Sequence, residues 1–360
     1  MQVDELDNSL RLTFDGHGLC PIGRVSAARC WSSLRETGPV TVPHQSMGQP
    51  IGQPIRELSR TWHAGRPVDL GATLGPLSRG HGDPTTRVGP SGLWWVTRTE
   101  AGPATLRLVV GSARYEVAAT AWGPGADRVL DGLPALLGAG DDPSGFVPLH
   151  PVVREAWRRH PGWRVPRTAR VLESLVPAVL EQKVTGREAW RAWRTLVRAY
   201  GELAPGPTAA LPTGLRVPPA PDTWRRVPSW VWHRAGVDLS RSRTIVTAAG
   251  SAGRLEQLTA LAPDEAARRM RSLPGIGAWT AAEVAQRALG DPDAVSVGDF
   301  HLAAMVGTAL VGERVDDDAM LELLEPYRGH RYRAIRMIEL AGIRQERHGP
   351  RYSGRDYRAM

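Results

Sequence analysis

The sequence predicts an α+β fold, a mainly α-helical core preceded by a small antiparallel β-sheet, and three features point to it. Between residues 93 and 121, short aromatic and β-branched runs alternate apolar with polar side chains. From 151 to 345, apolar residues recur, with breaks, at three- and four-residue spacing. Within that helical region, Leu273-Pro274-Gly275-Ile276-Gly277-Ala278-Trp279-Thr280-Ala281 sets a tight glycine turn between two such patterns.

Residues 1–60 mix short apolar pieces with Gly, Pro, Ser and Gln and read as a loosely ordered N-terminal extension, or in part an N-terminal strand. Residues 61–150 form the expected small α+β domain. Leu93-Trp94-Trp95-Val96-Thr97-Arg98 is a strand. Leu106, Leu108 and Val110, then Tyr115, Val117, Ala119 and Ala121, make a hairpin across Gly111-Ser112. Residues 151–345 are the helical domain. Leu172, Leu175, Val176 and Val179 mark one helix. Val184, Trp190, Trp193, Leu196 and Val197 mark the next, stopped at Tyr200-Gly201. Residues 202–222, rich in Pro, Gly and Ala, read as a loop, and 346–360 as a basic tail.

Net charge is +8 with a pI near 10.2, which suits a polyanionic partner such as nucleic acid. An arginine-heavy composition alone gives the same numbers, since Lys183 is the single lysine. Cys20 and Cys30 are the only cysteines, which excludes a four-cysteine iron–sulfur cluster. No run of 18 apolar residues suggests a membrane span, and the first residues lack the basic-then-apolar layout of a secretory signal. A cytoplasmic chain is the expectation.

The hairpin suits a phosphate. Gly275 and Gly277 lack Cβ, so they can take positive φ and let the backbone approach a ligand. The helix that follows presents unpaired N–H groups and the positive end of its dipole. Such a contact holds a nucleic-acid backbone and reads no bases. A bare Gly-x-Gly is also a common helix-to-helix turn, and the continuation decides between the two. Leu289-Gly290-Asp291-Pro292-Asp293 leads to Val297-Gly298-Asp299-Phe300-His301, and a third apolar pattern starts at Leu302. Asp299 is placed to cap that helix.

Hairpin, Gly/Pro loop and aspartate together resemble the helix-hairpin-helix–GPD superfamily of DNA glycosylases. Trp279 in the hairpin is similar to the 3-methyladenine DNA glycosylase II branch. The resemblance implies a helix-hairpin-helix–GPD glycosylase domain over 151–345. It also implies a monofunctional enzyme that hydrolyses the N-glycosidic bond of alkylated bases in duplex DNA. Asp299 is then the catalytic residue, stabilising positive charge on the sugar and orienting the attacking water. A lyase would carry a lysine where Trp279 stands, so no Schiff base forms there. Trp279, Phe300 and Glu283 fall at base-pocket positions. The best-known relatives have tyrosine at the position of Glu283, and the carboxylate changes which bases fit.

DNA contacts fall by the same resemblance on Gly275, Ile276, Gly277 and Thr280 of the hairpin. They also fall on Gln182 and Lys183 of Glu181-Gln182-Lys183-Val184-Thr185, the segment that enters the duplex. Gln182 is placed to probe a base edge. Lys183 stands where relatives carry an apolar wedge. Arg328, His330 and Arg331, among basic and aromatic neighbours, suit phosphate contact and stacking, or alternatively a solvated helix start. Arg268, Arg269 and Arg271 read as a solvated face. No cofactor or catalytic metal is implied. The partner is double-stranded DNA with damaged bases, bound by a monomer. Two other readings stay open: a same-fold glycosylase for another damaged or mismatched base, and a non-catalytic DNA-binding module.

Overall fold

The computed structural model describes residues 56–343. The tail at 346–360, and all but the last five residues of the expected extension, lie outside the described residues.

The sheet has five antiparallel strands: β1 Glu57–His63, β2 Thr86–Gly89, β3 Gly92–Thr99, β4 Gly102–Val110 and β5 Glu116–Trp122. Their order is β1-β5-β4-β3-β2. The predicted hairpin is β4–β5, with Leu106 opposite Ala121 and Leu108 opposite Ala119. Alternation sorts the faces. Trp95, Leu106, Leu108, Val117 and Ala119 pack on three short helices, α1 Leu70–Leu74, α2 Ala126–Asp131 and α3 Leu133–Leu136. Trp94 and Trp122 stack on the opposite face with centroids 5.5 Å apart. They are covered by Leu215 and Val217, next to a two-stranded ribbon of β6 Glu202–Leu203 and β7 Arg216–Val217. Two expectations change here. The sheet begins at Glu57, inside the segment read as extension, because β1 is an edge strand whose residues are mostly exposed. The loop over 202–222 contains the small ribbon.

The helical region forms two hydrophobic clusters. The first gathers α5 Val171–Leu180, α6 Gly186–Tyr200, α7 Pro221–Arg226, α8 Ser229–Arg234, α9 Leu239–Gly250, α10 Ala252–Glu256, α11 Pro263–Arg271 and α12 Ala278–Val284. The second gathers α4 Pro151–Arg159 with α13 Leu302–Val311, α14 Asp317–Leu324 and α15 Arg331–Leu340. Helix α5 is buried all round, whereas α6 buries only Ala189, Ala192, Trp193, Leu196 and Val197. A capping box between Thr185 and Glu188 starts α6.

Buried carboxylates tie sheet to helices. Glu173 on α5 accepts hydrogen bonds from the Thr97 hydroxyl at 2.8 Å and the Arg98 N–H at 3.2 Å. Its burial pushes the carboxyl up to about 7. Asp83 accepts from the Trp193 indole at 3.1 Å. Asp141 holds Arg333 of α15, whose guanidinium lies over the rings of Phe146, Trp157 and Trp163.

Candidate active site

Helices α11 and α12 are the two arms of the predicted hairpin, and Ser272–Gly277 turns between them. Gly275 has φ +85°, and a Cβ there would lie 2.0 Å from the Thr244 hydroxyl of α9. Only glycine fits both the left-handed backbone and the contact. Gly277 is extended instead, at φ −91° and ψ −175°, so a single positive-φ residue suffices for the turn. Ile276 is buried in the first cluster and Thr280 is 2% exposed. Their side chains therefore anchor the hairpin, leaving its backbone for any outward contact.

Gln182 completes the anchoring. Its amide donates to the Gly275 carbonyl at 2.9 Å and to the Thr280 hydroxyl at 2.8 Å. The amide nitrogen is thus committed to the hairpin. Lys183 follows it at the tip of the loop, exposed and at φ +55°. A left-handed non-glycine residue stores strain, which is a recurrent mark of working loops.

Asp299 lies in the loop that leaves the hairpin helices for α13. Its Oδ1 accepts from the His301 N–H at 2.9 Å and the Leu302 N–H at 3.1 Å, as expected of a capping aspartate. Its Oδ2 accepts from the Trp279 indole N–H at 3.1 Å. Hairpin and carboxylate, 20 residues apart, thus meet directly. The hairpin packs in the first hydrophobic cluster and α13 in the second, so this bond crosses the seam between them. The Gly/Pro loop is pinned to α15: Asp293 binds the Arg331 guanidinium, and the Pro292 carbonyl accepts from the Arg333 N–H at 3.1 Å.

A second rung lies one turn along α12, ~6 Å on at 1.5 Å per residue. Ser296 donates its hydroxyl to Glu283 Oε1 at 2.6 Å. Glu283 Oε2 pairs with Arg287 at 2.8 Å, and both side chains are 13% exposed. Arg287 sits in the π-helical stretch Ala285–Leu289 that continues α12, and such stretches recur at functional sites. It also donates to the Pro76 carbonyl at 3.1 Å. Its guanidinium is held above its usual range, since the neighbouring carboxylates outweigh burial. Opposite, Arg79 reaches Glu181 at 3.4 Å. Burial pulls the Arg79 guanidinium below its usual range, against the attraction of Glu181.

Other expected site residues are placed differently. Phe300 is 88% exposed and meets the His301 ring edge-on, at 4.8 Å between centroids. In the C-terminal basic group, Arg328 pairs with Glu325 at 2.7 Å, Arg331 with Asp293, and His330 accepts from Arg333 at 3.2 Å. Burial and the adjacent Arg333 guanidinium lower the basicity of His330. Arg268 and Arg269 pair with Glu265, as a solvated face would. Arg271, at the hairpin's edge, is exposed and has no ion-pair partner among the described residues. The same holds for Arg243, beside Thr244 on α9. Sequence reading missed Arg243, because nothing along the chain shows that α9 abuts Gly275. Among the described residues no His, Cys, Asp and Glu group is arranged to hold a metal, and no helix is long and apolar enough to cross a membrane.

A helix-hairpin-helix joined by a Gly/Pro loop to a capped aspartate, behind a five-stranded antiparallel sheet, is the architecture of the helix-hairpin-helix–GPD DNA glycosylases. The comparisons agree with that resemblance. In sequence, the chain is 34% identical over 172 residues to a Mycobacterium tuberculosis protein described as a "Probable bifunctional transcriptional activator/DNA repair enzyme AlkA". The match covers 46% of this chain, and the chain spans about a third (34%) of that relative's length. In structure, a 3-methyladenine DNA glycosylase from Archaeoglobus fulgidus superimposes with TM-score 0.63 at 17% identity, over 78% of this chain and 97% of its own. An 8-oxoguanine glycosylase/lyase from Clostridium acetobutylicum, in complex with double-stranded DNA, gives TM-score 0.59 at 11% identity over 80% and 97%. These structural likenesses establish the fold. No protein-family model matches the chain.

Proposed function

We propose that the chain is a monofunctional DNA glycosylase that removes alkylated bases, such as 3-methyladenine, from duplex DNA and leaves an abasic site. The observation that carries this reading is the Asp299 carboxylate. One oxygen is held by two backbone N–H groups and the other by the Trp279 indole, beside a hairpin shaped to hold backbone phosphate.

The hairpin, with Lys183, Arg243 and Arg271 around it, grips the damaged strand while the base swings out of the stack. As the N-glycosidic bond lengthens, its electron pair leaves with the base and positive charge develops on the sugar. Asp299 faces that charge, fixed in advance by three donors, so no reorganisation is needed during reaction. Water adds to the anomeric carbon and gives up a proton, with Asp299 as acceptor. A base that carries an alkyl-derived positive charge departs neutral and needs no proton. Trp279 offers a flat π face to such an electron-poor ring. The hairpin carries Trp279 in place of a lysine, and Lys183 lies on a different loop, which supports hydrolysis without a Schiff base.

The test is base release from methylated duplex DNA, run in parallel with borohydride trapping. Release of 3-methyladenine without a covalent adduct is expected. Intact DNA binding with no release across a broad lesion panel would refute the enzyme assignment. A borohydride-trapped adduct would refute the monofunctional mechanism alone.

A further inference from the structure

One turn along α12 from Trp279 stands a charged side chain, Glu283, where the best-known relatives in the resemblance carry a tyrosine. Glu283 stands four residues after Trp279 on the same helix face, and its carboxylate is clamped by Ser296 on one oxygen and Arg287 on the other. Its side chain is 13% exposed, so it acts in a partly dry environment while remaining reachable. The two rungs between α12 and the loop run in order: Trp279 to Asp299, then Glu283 to Ser296. A purine whose sugar carbon lies at Asp299 and whose ring lies along Trp279 therefore directs its far edge at Glu283. The rise between rungs, ~6 Å, is comparable to the span from the sugar-bearing nitrogen of a purine to its exocyclic group.

We propose that Glu283 is a specificity-determining residue, selecting flipped bases with an exocyclic amino group and rejecting bases with a carbonyl at that position. This rests on the glycosylase reading and narrows its substrate class. An ionised carboxylate only accepts hydrogen bonds, at about four lone-pair sites. Ser296 and Arg287 occupy two and leave the others aimed by the clamp. An amino N–H completes the set with a charge-assisted bond. A carbonyl instead sets acceptor against acceptor with no donor free to turn between them, a penalty of the kind that gives hydrogen-bonding sites their strongest discrimination. Arg287 is in no position to rescue it, because Glu283 and the Pro76 carbonyl already hold its guanidinium.

The experiment compares wild type and Glu283→Gln in single-turnover release of 3-methyladenine, from methylated duplex DNA, and of hypoxanthine, which has a carbonyl in place of the amine of adenine. The glutamine amide can donate to a carbonyl, so the ratio of 3-methyladenine to hypoxanthine release should fall by at least roughly tenfold in the variant. Much of that fall should come from a raised half-saturating enzyme concentration for the methylated DNA. An unchanged ratio, with wild type active, overturns the role of Glu283 and leaves the glycosylase reading intact. No release of either base by wild type, with DNA binding intact, overturns the role of Glu283, and no release across a broad lesion panel overturns the glycosylase reading as well. Glu283→Gln leaves Arg287 without its partner, so the double variant E283Q/R287Q, which removes both charges, provides the same readout if the single variant melts early.

Discussion

Replacing Asp299 by asparagine separates the capping role of this side chain from its charge. Asparagine caps a helix as well as aspartate does. Its Oδ1 can keep the bonds from the His301 and Leu302 N–H groups, 2.9 and 3.1 Å long in the native chain. The second oxygen, which in the native chain accepts from the Trp279 indole N–H across 3.1 Å, becomes an NH2 group. Two donors then meet where donor and acceptor met. The loss is about one hydrogen bond, near 1 kcal/mol, and the half-exposed site lets water absorb part of it. DNA affinity should change by no more than a few-fold, because the hairpin and its cations are untouched. Base release should fall much further. Removing a preorganised charge-stabilising group at a reacting centre costs about 3–4 kcal/mol, or roughly 10²–10³ in rate. Single-turnover release from methylated DNA, with fluorescence anisotropy for binding and a thermal melt for folding, measures all three. Release within a few-fold of wild type, from a folded and DNA-bound variant, would show that Asp299 is a cap and nothing more.

Two stability measurements test the framework behind the site. Gly275→Ala forces a side chain into φ +85°, 2.0 Å from the Thr244 hydroxyl, and should cost about 2–4 kcal/mol in urea unfolding. Adding Thr244→Ala should recover part of that loss, and no recovery would mean that the contact with α9 contributes nothing. Glu173, buried and pushed up to about 7, binds its proton more tightly in the folded chain than in the unfolded one. Stability from this group is therefore complete below about pH 4.5 and lost as pH rises towards 7, amounting to about 3 kcal/mol. Glu173→Gln should flatten that slope and leave the variant more stable than wild type at pH 8. An unchanged slope would place the pH dependence elsewhere.

The hairpin, the loop and the capping position of Asp299 were legible in the sequence because each is a local signal: two glycines between amphipathic runs, a Gly/Pro loop, an aspartate before a helix. Strands β3 to β5 were legible for the same reason, their alternation surviving in a half-buried sheet. Relations between distant segments were not. Gln182 reads as a free amide until the fold sets it against the Gly275 carbonyl, 93 residues away. Arg331 reads as part of a basic patch until Asp293 appears beside it. The position of strand β1 was not legible, because an exposed edge strand has no buried face to impose a period. Glu283 was recognised as an unusual residue at its position, but the serine and arginine that aim it were invisible, since Ser296 belongs to a loop with no period.

The Trp279–Asp299 bond joins a hairpin packed in one hydrophobic cluster to a loop that leads into the other. A slip of an ångström between the two clusters would misplace the carboxylate relative to the hairpin. The molecule thus carries a built-in registration mark between hairpin and carboxylate. Substitutions at Asp141 or Arg333, beside the second cluster, would reach the reaction by tilting α15 and the loop it pins. On warming, base release should fade while the circular dichroism is still native, the alignment failing before the parts.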